Sequence, residues 1–400
     1  MGNLVYDNAT SLPHLADTRH CTGCMVCVDA CMKDALTCFV GEDGHYYIRF
    51  NEKRCISCVQ CERSCPVVSN FSYDTSERYV TFAAWNQDND QRKRSSSGGA
   101  FAALASYVID QGGVVVGAAT IGREVRHIVV RTKNELTKLQ GSKYTQSDIQ
   151  GCYSETFSLL HQGMMVLFSG TGCQVAGLLS FLKQRKYKGK LITVDLICGG
   201  VPSKLLQDSF FKNEPYSAKS ILSYRTKEYG WKPTGFGYNM KVEDMEGKVH
   251  DYKGRRNLIT DGFSTELTNR YSCYQCNFVG LNRKSDFTIG DLWGNRSLPE
   301  QHSDGLSAVI AHNDEAVSLL NKMSSYLAIR SVPAEEIIAY NHRLVDGRCP
   351  YGWFPERKYI GWLFRHCSYS TLKKIYATDF PVYSPWMLMK AMRYVMKHIF

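Results

Sequence analysis

The chain has 400 residues, of which 44% are hydrophobic and 22% are charged, a composition typical of globular proteins that excludes a disordered or fibrous one. At roughly 100–200 residues per domain, this length predicts two or three domains. The formal net charge is +10, but the basic residues are scattered and no nucleic-acid-binding motif accompanies them, so we do not expect nucleic acid as a partner.

The cysteines point to metal chemistry rather than to disulfides. Nine of the 16 cysteines lie between Cys21 and Cys65. The first residues have neither the basic nor the apolar segment of an export signal, and no apolar run approaches the roughly 18 residues that span a bilayer. We therefore expect a cytoplasmic protein, in a compartment where disulfides are rare.

Residues 1–70 are predicted to form a small α+β ferredoxin-like domain. The spacing Cys-x2-Cys-x2-Cys-x3-Cys occurs twice there. In such a repeat, three thiolates of one run and the last cysteine of the other run bind each 4Fe–4S cluster. The predicted sets are Cys21, Cys24, Cys27 and Cys65 for one cluster, and Cys55, Cys58, Cys61 and Cys31 for the other. Zinc sites usually pair two Cys-x2-Cys turns through a longer loop, so the doubled run of four favours clusters.

Residues 76–320, which follow the polar linker SNFSYDTSER, alternate between strand-like and helix-like runs. The strand-like runs are TFAAW, VVVGAAT, MMVLFSG and LITVDLIC, and the helix-like runs are FAALASYVIDQG and VAGLLSFLKQR. This alternation predicts an α/β (α+β) domain with a partly parallel sheet.

A second cysteine set lies in this larger domain. Cys173 follows the predicted strand MMVLFSG, and Cys198 follows LITVDLI. A right-handed crossover makes these strands parallel, so both cysteines emerge at the same carboxyl edge, where Cys273 and Cys276 could close the site from a loop. Four thiolates suit either a third 4Fe–4S cluster or a zinc ion. The spacing alone also allows unrelated buried thiols.

Two turns of small residues are candidate anion sites. RSSSGG, residues 94–99, precedes the helix-like run FAALASYVI, so its N–H groups would suit a diphosphate or form an ordinary N-cap. SGTG, residues 169–172, lies beside Cys173 and could act similarly. No G-x-G-x-x-G opens a βαβ unit, which argues against a standard dinucleotide fold. A flavin is nevertheless expected, because clusters pass single electrons whereas most organic substrates accept a hydride.

Residues 321–400 are predicted to be helical and basic. The last 16 residues place Lys390, Arg393 and Lys397 on one helical face and three methionines on another. Such a helix suits packing on the domain, the usual role of an apolar stripe. It also suits peripheral contact with a partner or a membrane surface.

Six motifs together resemble a known family. RSSSGGAFAALA, GSKYTQS, LFSGTGCQVAGL, DLICGGVPS, CYQCNF and SDFTIGDLWG occur in this order. They are similar to the coenzyme F420 hydrogenase/dehydrogenase beta-subunit family, here fused to an N-terminal ferredoxin domain that holds two 4Fe–4S clusters. The branch resembled is a bacterial one associated with surface polysaccharide synthesis. The family includes deazaflavin-reducing subunits and a chlorophyll-derivative reductase.

The resemblance implies a flavin-binding domain that carries FAD and a third 4Fe–4S cluster. The implied cluster ligands are Cys173, Cys198, Cys273 and Cys276. The implied FAD-binding residues are Ser96, Ser97, Gly98, Gly99, Lys143, Thr171 and Gly172. Two positions depart from the family pattern, since Gly172 stands where many relatives have proline and Gly199 where histidine is common.

These observations predict an FAD-dependent iron–sulfur oxidoreductase. Electrons would come from a donor such as a ferredoxin or a reductase subunit and pass through the clusters and FAD to a small organic substrate, or in the reverse direction. The candidate reactions are a reduction in surface polysaccharide biosynthesis and the oxidation or reduction of coenzyme F420. Lys143 is the candidate catalytic residue, contacting the flavin or a developing anion, with phosphate binding as its alternative role. The rival prediction is a non-catalytic electron-transfer subunit that docks to a partner enzyme.

Overall fold

A computed structural model describes residues 13–69, 79–214, 217–231, 239–253, 257–294, 298, 303–347 and 357–376. Residues 70–78 of the predicted linker lie outside the described residues. The predicted C-terminal helix with its methionine and basic faces also lies outside them. No helix in the described part of the chain is both long enough and apolar enough to cross a membrane.

The N-terminal cysteine-rich segment folds into two short helices and a hairpin. Its elements are α1 (Val26–Asp29), β1 (Leu36–Val40), β2 (Tyr46–Phe50) and α2 (Gln60–Ser64). The two strands pair antiparallel, with Leu36 opposite Phe50. Each helix starts inside one cysteine run, so the internal sequence repeat is also a structural repeat. This is the small α+β unit that the sequence predicts.

The strands of the larger part form two sheets. In chain order they are β3 (Val80–Asn86), β4 (Val114–Ile121), β5 (Glu124–Val130), β6 (Val166–Gly170), β7 (Leu191–Leu196), β8 (Ala218–Thr226), β9 (Asn239–Asp244), β10 (Val249–Tyr252), β11 (Phe287–Asp291), β12 (Ser307–Ala311) and β13 (Leu327–Ser331). The main sheet has eight strands in the order β13-β3-β12-β11-β7-β6-β4-β5, and the second has three in the order β10-β9-β8.

Helices cover both faces of the main sheet. The helices that follow α2 are α3 (Asn89–Arg94), α4 (Ala100–Asp110), α5 (Lys133–Leu136), α6 (Cys152–His161), α7 (Gly172–Leu182), α8 (Lys204–Asn213), α9 (Leu258–Thr265), α10 (Asp314–Lys322), α11 (Ala334–Ile338), α12 (Arg357–His366) and α13 (Tyr369–Tyr376). Helices α8 and α9 pack on the three-stranded sheet, and α12 and α13 pack against α8 and α9. Helices α4 and α10 pack on one face and α6 and α7 on the other. Successive side chains of β4 alternate between these layers, with Val115 in the first and Val114 and Val116 in the second.

The partly parallel sheet predicted from the sequence is confirmed. Strands β4, β6, β7 and β11 are mutually parallel, and the outer strands are antiparallel. The register of β6 and β7 sets Gly170 opposite Asp195. The chain segments leading to Cys173 and Cys198 therefore leave the sheet at the same carboxyl edge, as the strand–helix–strand pattern predicts.

Two features of the sheets differ from the sequence prediction. The main sheet continues past residue 320, because β13 pairs antiparallel with β3 and forms its edge, where a helical region had been expected to start. The three-stranded sheet was not predicted. Its first strand, β8, makes register shifts against β9, so its side chains follow neither the period of a regular strand nor that of a helix.

Candidate functional site

All 12 predicted metal-ligating cysteines line three small cavities, four to each cavity. The inner ferredoxin cavity has Cys21, Cys24, Cys27 and Cys65, the outer ferredoxin cavity has Cys31, Cys55, Cys58 and Cys61, and the third cavity has Cys173, Cys198, Cys273 and Cys276. The first two groups are those predicted from the spacing, including the exchange of the last cysteine between the two runs, and the third is the set predicted from the strand ends and the family resemblance. All described cysteines are free of disulfides.

The two ferredoxin runs adopt a left-handed backbone at matching positions, which strains the non-glycine residues among them. Gly23 and Ser57 have φ of 66° and 53°, and Met25 and Val59 have φ of 63° and 54°. A β-branched residue such as Val59 strongly disfavours this left-handed region, at a cost of about 1–3 kcal/mol for each strained residue. Because the strain recurs at equivalent positions, it fits loops whose shape is set by a bound group rather than by local preference.

Backbone N–H groups donate to several of these sulfurs. The donor–acceptor pairs are Ala35 N to Cys31 Sγ at 3.3 Å, Ser57 N to Cys55 Sγ, Gly200 N to Cys198 Sγ and Phe278 N to Cys276 Sγ, the last three at 3.4 Å. Hydrogen bonds to cysteine sulfur are among the contacts that set the potential of an iron–sulfur cluster. The sulfur environment therefore suits negatively charged thiolates.

The thiols could not ionise in these surroundings without a positive partner. Burial raises the pKa of Cys173 to about 12 and that of Cys61 to about 11, whereas metal binding requires and stabilises thiolates. Within the described ranges, no group of three or more His, Cys, Asp or Glu side chains is arranged to hold a single metal ion. Four thiols around one cavity are the protein ligands that a 4Fe–4S cluster requires.

A larger cavity, of about 300 Å³, lies at the carboxyl edge of the parallel strands. This volume is at the lower end of the range for small-molecule sites. Of the residues implied for FAD, Ser96, Ser97, Gly99, Lys143 and Thr171 line it.

The other two glycines implied for FAD lie behind the cavity wall. A Cβ on Gly98 would come within 2.3 Å of Ala84 O and 2.5 Å of Ser307 N. Gly172 lines the third cavity instead, where a Cβ would approach Phe278 O at 2.8 Å. Both glycines thus permit close backbone packing next to the cavity, and neither contributes to its lining.

The carbonyls of the loop at residues 96–98 accept hydrogen bonds from the protein, whereas its N–H groups are left for a ligand. The Ser96 carbonyl accepts from Arg225 and from Trp231 Nε1, the Ser97 carbonyl from Lys227 Nζ at 2.6 Å, and the Gly98 carbonyl from Asn86 N at 2.8 Å. Within the described structure, no N–H group of residues 96–99 donates a hydrogen bond. Because α4 begins at Ala100, its N-terminal dipole adds to the attraction for an anion.

Lys143 stands beside this loop. The adjacent Ser142 donates its N–H to Ser96 Oγ at 2.7 Å. The Lys143 ammonium donates to the carbonyls of Leu139 and Gln140 at 2.8 and 2.9 Å, and its desolvation lowers the pKa from 10.5 to about 7. The ion pairs formed among the described residues do not include Lys143. An anionic ligand such as a diphosphate would therefore stabilise its charge.

Thr171 positions the second turn of small residues. It N-caps α7 in a capping box, in which Gln174 Oε1 accepts from the Thr171 N–H at 2.9 Å. The Thr171 hydroxyl lies 3.2 Å from Cys173 Sγ. This short turn therefore borders the larger cavity on one side and a cysteine of the third cavity on the other.

His127 also lines the larger cavity, and the sequence pattern did not identify it. Its Nε2 lies 3.1 Å from the Ser169 carbonyl and its Nδ1 lies 2.6 Å from Ser147 Oγ. A carbonyl can only accept, so Nε2 carries the hydrogen. Burial lowers the pKa of His127 to about 4, which keeps the ring neutral. The available signal was a histidine among alternating apolar residues of β5.

The four cavities adjoin one another. Cys27 and Cys61 pack in one apolar cluster between the outer and inner ferredoxin cavities. Thr22 lines the inner, third and larger cavities, and Cys173 lines both the third and the larger cavity. A continuous row of sites thus runs from the outer ferredoxin cavity to the larger cavity.

Comparisons with known proteins identify the family. Residues 81–151 match the family model for the N-terminal part of the coenzyme F420 hydrogenase/dehydrogenase beta subunit, and residues 163–336 match the model for the C terminus of the same protein. No curated protein matches the chain. Among solved structures, the chain is similar to one from the F420-reducing [NiFe] hydrogenase complex of Methanosarcina barkeri, with 17% identity, a TM-score of 0.44, and coverage of 68% of this chain and 93% of that chain. Since the two family models together span more than half of the sequence, the chain belongs to the coenzyme F420 hydrogenase/dehydrogenase beta-subunit family of redox proteins.

Proposed function

We propose that the chain is an iron–sulfur flavoprotein oxidoreductase that passes electrons between 4Fe–4S clusters and FAD, and on to or from a small organic substrate. The row of adjoining cavities carries this proposal, because three four-cysteine sites lead to a larger site with an anion-binding loop. When bound, the clusters supply single-electron transfer and FAD supplies hydride exchange.

The protein's own groups would hold these cofactors in order. Each set of four cysteines would bind one cluster, with the backbone N–H groups described above donating to the sulfurs. The N–H groups of Ser96, Ser97 and Gly99 and the Lys143 ammonium would bind the diphosphate of FAD. Neutral His127 would provide an uncharged wall, and its Nε2–H would keep the Ser169 carbonyl turned toward the ring rather than toward the ligand.

The surroundings of Lys143 support the phosphate-binding role over the predicted catalytic one. Lys143 follows Ser142, whose N–H and hydroxyl both donate to Ser96 Oγ, at 2.7 and 2.9 Å. Lys143 is therefore held next to the loop at residues 95–99 and lines the same cavity. A charge on the diphosphate of FAD would stabilise the ground state and the transition state equally. It would therefore raise the affinity for the cofactor without raising the rate.

Electrons would enter at the outer ferredoxin cavity, from a donor such as a ferredoxin or a reductase subunit. Cys58 is exposed there, and the neighbouring Met32 and Ile56 expose 79% and 57% of their surface. Apolar side chains presented so fully around a cluster site suit contact with another protein. A non-catalytic electron-transfer subunit would need the same docking surface. Turnover of a small organic substrate therefore distinguishes the two functions. Candidate substrates are coenzyme F420 and a surface-polysaccharide precursor.

Metal analysis tests the cofactor assignment. Anaerobically purified protein should contain about 12 irons and 12 acid-labile sulfides per chain, since each cluster holds four. Cys273→Ser should remove about four irons and leave the ferredoxin pair. Cys38→Ser is the matched control, because Cys38 is half-buried but lies outside all three cysteine sets, and it should remove none. About eight irons in the unmodified protein, or zinc in place of iron, would overturn the third cluster.

Turnover tests the catalytic assignment. With a reduced ferredoxin as donor, the bound flavin should bleach, and one of the two acceptor classes should reoxidise it in a steady state. Flavin that bleaches but reduces neither F420 nor sugar-nucleotide acceptors would contradict the enzyme assignment and support the electron-transfer role.

A further inference from the structure

Arg270 is the largest of the fully buried side chains among the described residues, with no exposed surface. Its Nη1 donates to the Cys21 carbonyl at 3.0 Å, and its Nη2 donates to the Tyr46 carbonyl. The guanidinium carbon lies 4.8 Å from the centre of the Tyr47 ring. The guanidinium thus reaches from the larger part of the chain into the ferredoxin fold, next to the first cysteine of the inner ferredoxin cavity.

The same residue is tied to the third cavity through its backbone. The Arg270 carbonyl accepts from the Cys273 N–H at 2.9 Å. The intervening Ser272 donates its hydroxyl to the Cys21 carbonyl at 3.1 Å. Arg270 therefore lies between the cysteines of the inner ferredoxin cavity and those of the third cavity, and it contacts both sets.

The charge of Arg270 has no carboxylate partner in direct contact. No ion pair among the described residues includes Arg270, and its Nε has no hydrogen-bond partner there. The carboxylate on that side, Asp43, lies behind Tyr47, whose hydroxyl donates to it at 2.8 Å. By contrast, buried Arg283 contacts Asp195 at 3.0 Å. Because an uncompensated buried cation is strongly unfavourable, Arg270 requires negative charge from its other neighbours.

We propose that Arg270 is the shared counter-ion of the inner ferredoxin cluster and the third cluster, and that its charge raises the reduction potentials of both. This inference rests on the proposed function, since the thiolate-bound clusters would supply the negative charge. Reduction adds an electron to a cluster, and a fixed cation in a low-dielectric interior stabilises the more negative state. Arginine suits this role because it remains protonated even when buried.

The test compares Arg270→Gln with Arg270→Lys in the full-length protein, by anaerobic redox titration followed by electron paramagnetic resonance. Glutamine removes the charge, so the equilibrium constant for reduction should fall about tenfold for the inner and third clusters, which is ~59 mV for a one-electron couple. Lysine keeps the charge, so the equilibrium constant for reduction of each of these two clusters should stay within threefold of its value in the unmodified protein. The outer cluster should not shift and serves as the internal reference.

Ser272→Ala is the matched control for the hydrogen bond. It removes a neutral donor to the same Cys21 carbonyl and should leave all three potentials unchanged. Unchanged potentials in Arg270→Gln, or equal shifts in the glutamine and lysine variants, would overturn the counter-ion role. Should the glutamine variant not accumulate, a tenfold fall in the lysine variant would suffice to overturn it.

Iron content keeps this test separate from the proposed function. If the unmodified protein contains about 12 irons and the Arg270 variants leave the cluster potentials unchanged, only the counter-ion role is overturned. Unmodified protein with about eight irons would instead overturn the three-cluster function on which the inference depends.

Discussion

Lys143 shows how one buried charge can report on the ligand of the larger cavity. Its desolvated ammonium contacts only carbonyls among the bonds described above, and its pKa lies near 7 instead of 10.5. An anionic group bound beside it favours the charged form and raises that pKa again. By linkage, binding such a group above pH 7 must take up a proton, whereas below pH 7 the lysine is already charged.

We therefore expect the Kd for FAD to rise with pH above about 7, by up to about tenfold per pH unit, and to be nearly constant below it. Lys143→Arg keeps a permanent charge and should bind FAD with little pH dependence. Lys143→Met should bind about 10–100-fold more weakly at pH 6.5, the loss of one charge-assisted hydrogen bond. Titration of flavin fluorescence between pH 6 and 9 measures this. If the Kd of the methionine variant still rises with pH above 7, a group other than Lys143 takes up the proton on binding.

At the scale of elements, the irregular three-stranded sheet supplies the support behind the anion-binding loop. Lys227, just after β8, donates to the carbonyls of Arg92, Ser97 and Asp304 at 2.5–2.6 Å. Arg225, within β8, pairs with Asp291 and also donates to the Ser96 carbonyl. The carbonyls are thereby drawn away from the cavity, which leaves the N–H groups of the loop for the ligand.

Lys227→Met should therefore disorder the loop and lower the FAD content, because several buried carbonyls lose their shared donor. Each unsatisfied buried group costs about 1–3 kcal/mol, so the free energy of unfolding should fall by at least about 2 kcal/mol. Lys219→Met, within β8, removes only a surface pair with Glu243 at 3.1 Å and should change stability by less than about 1 kcal/mol. Equal FAD loss in both variants would show that the loop does not depend on Lys227.

Four strands of the main sheet, β3, β4, β6 and β7, could be predicted from the sequence because they are apolar runs too short for a buried helix, such as Val166–Gly170 and Leu191–Leu196. The two N-terminal cysteine sets could be grouped from their spacing, whereas the third set was grouped from the strand–helix–strand pattern and the family resemblance. Arg270 and Lys227 could not be identified, because a single basic residue in a sequence is typical of a solvated surface. Their roles depend on carbonyls up to 249 positions away.

At the scale of the whole molecule, the N-terminal cysteine-rich segment is bonded to the larger part of the chain through its inner cysteine loop and through the β1–β2 turn, where the Asp43 carbonyl accepts from Ser203 Oγ at 2.6 Å. Asp29 caps α6, accepting from Gly151 N at 2.7 Å and from Tyr153 N at 3.0 Å. The Tyr153 hydroxyl donates to the Cys24 carbonyl at 2.8 Å. The inner cysteine loop is thus part of the core of the larger domain, whereas Cys58 of the outer cavity is exposed.

This asymmetry predicts different outcomes for two cysteine substitutions. Cys58→Ala should lose about four irons and donor-driven flavin reduction, yet keep FAD and its reduction by dithionite, because only the exposed end of the row is removed. Cys24→Ala opens a space beside Val26 in a shared apolar core and borders Thr22, which lines the larger cavity, so it should lower FAD content as well. Iron, sulfide and flavin analysis of both proteins distinguishes the cases. Loss of FAD from Cys58→Ala would show that even the outer cavity is structurally coupled to the larger cavity. Electron entry at the outer cavity would then have to be tested with all four of its cysteines in place.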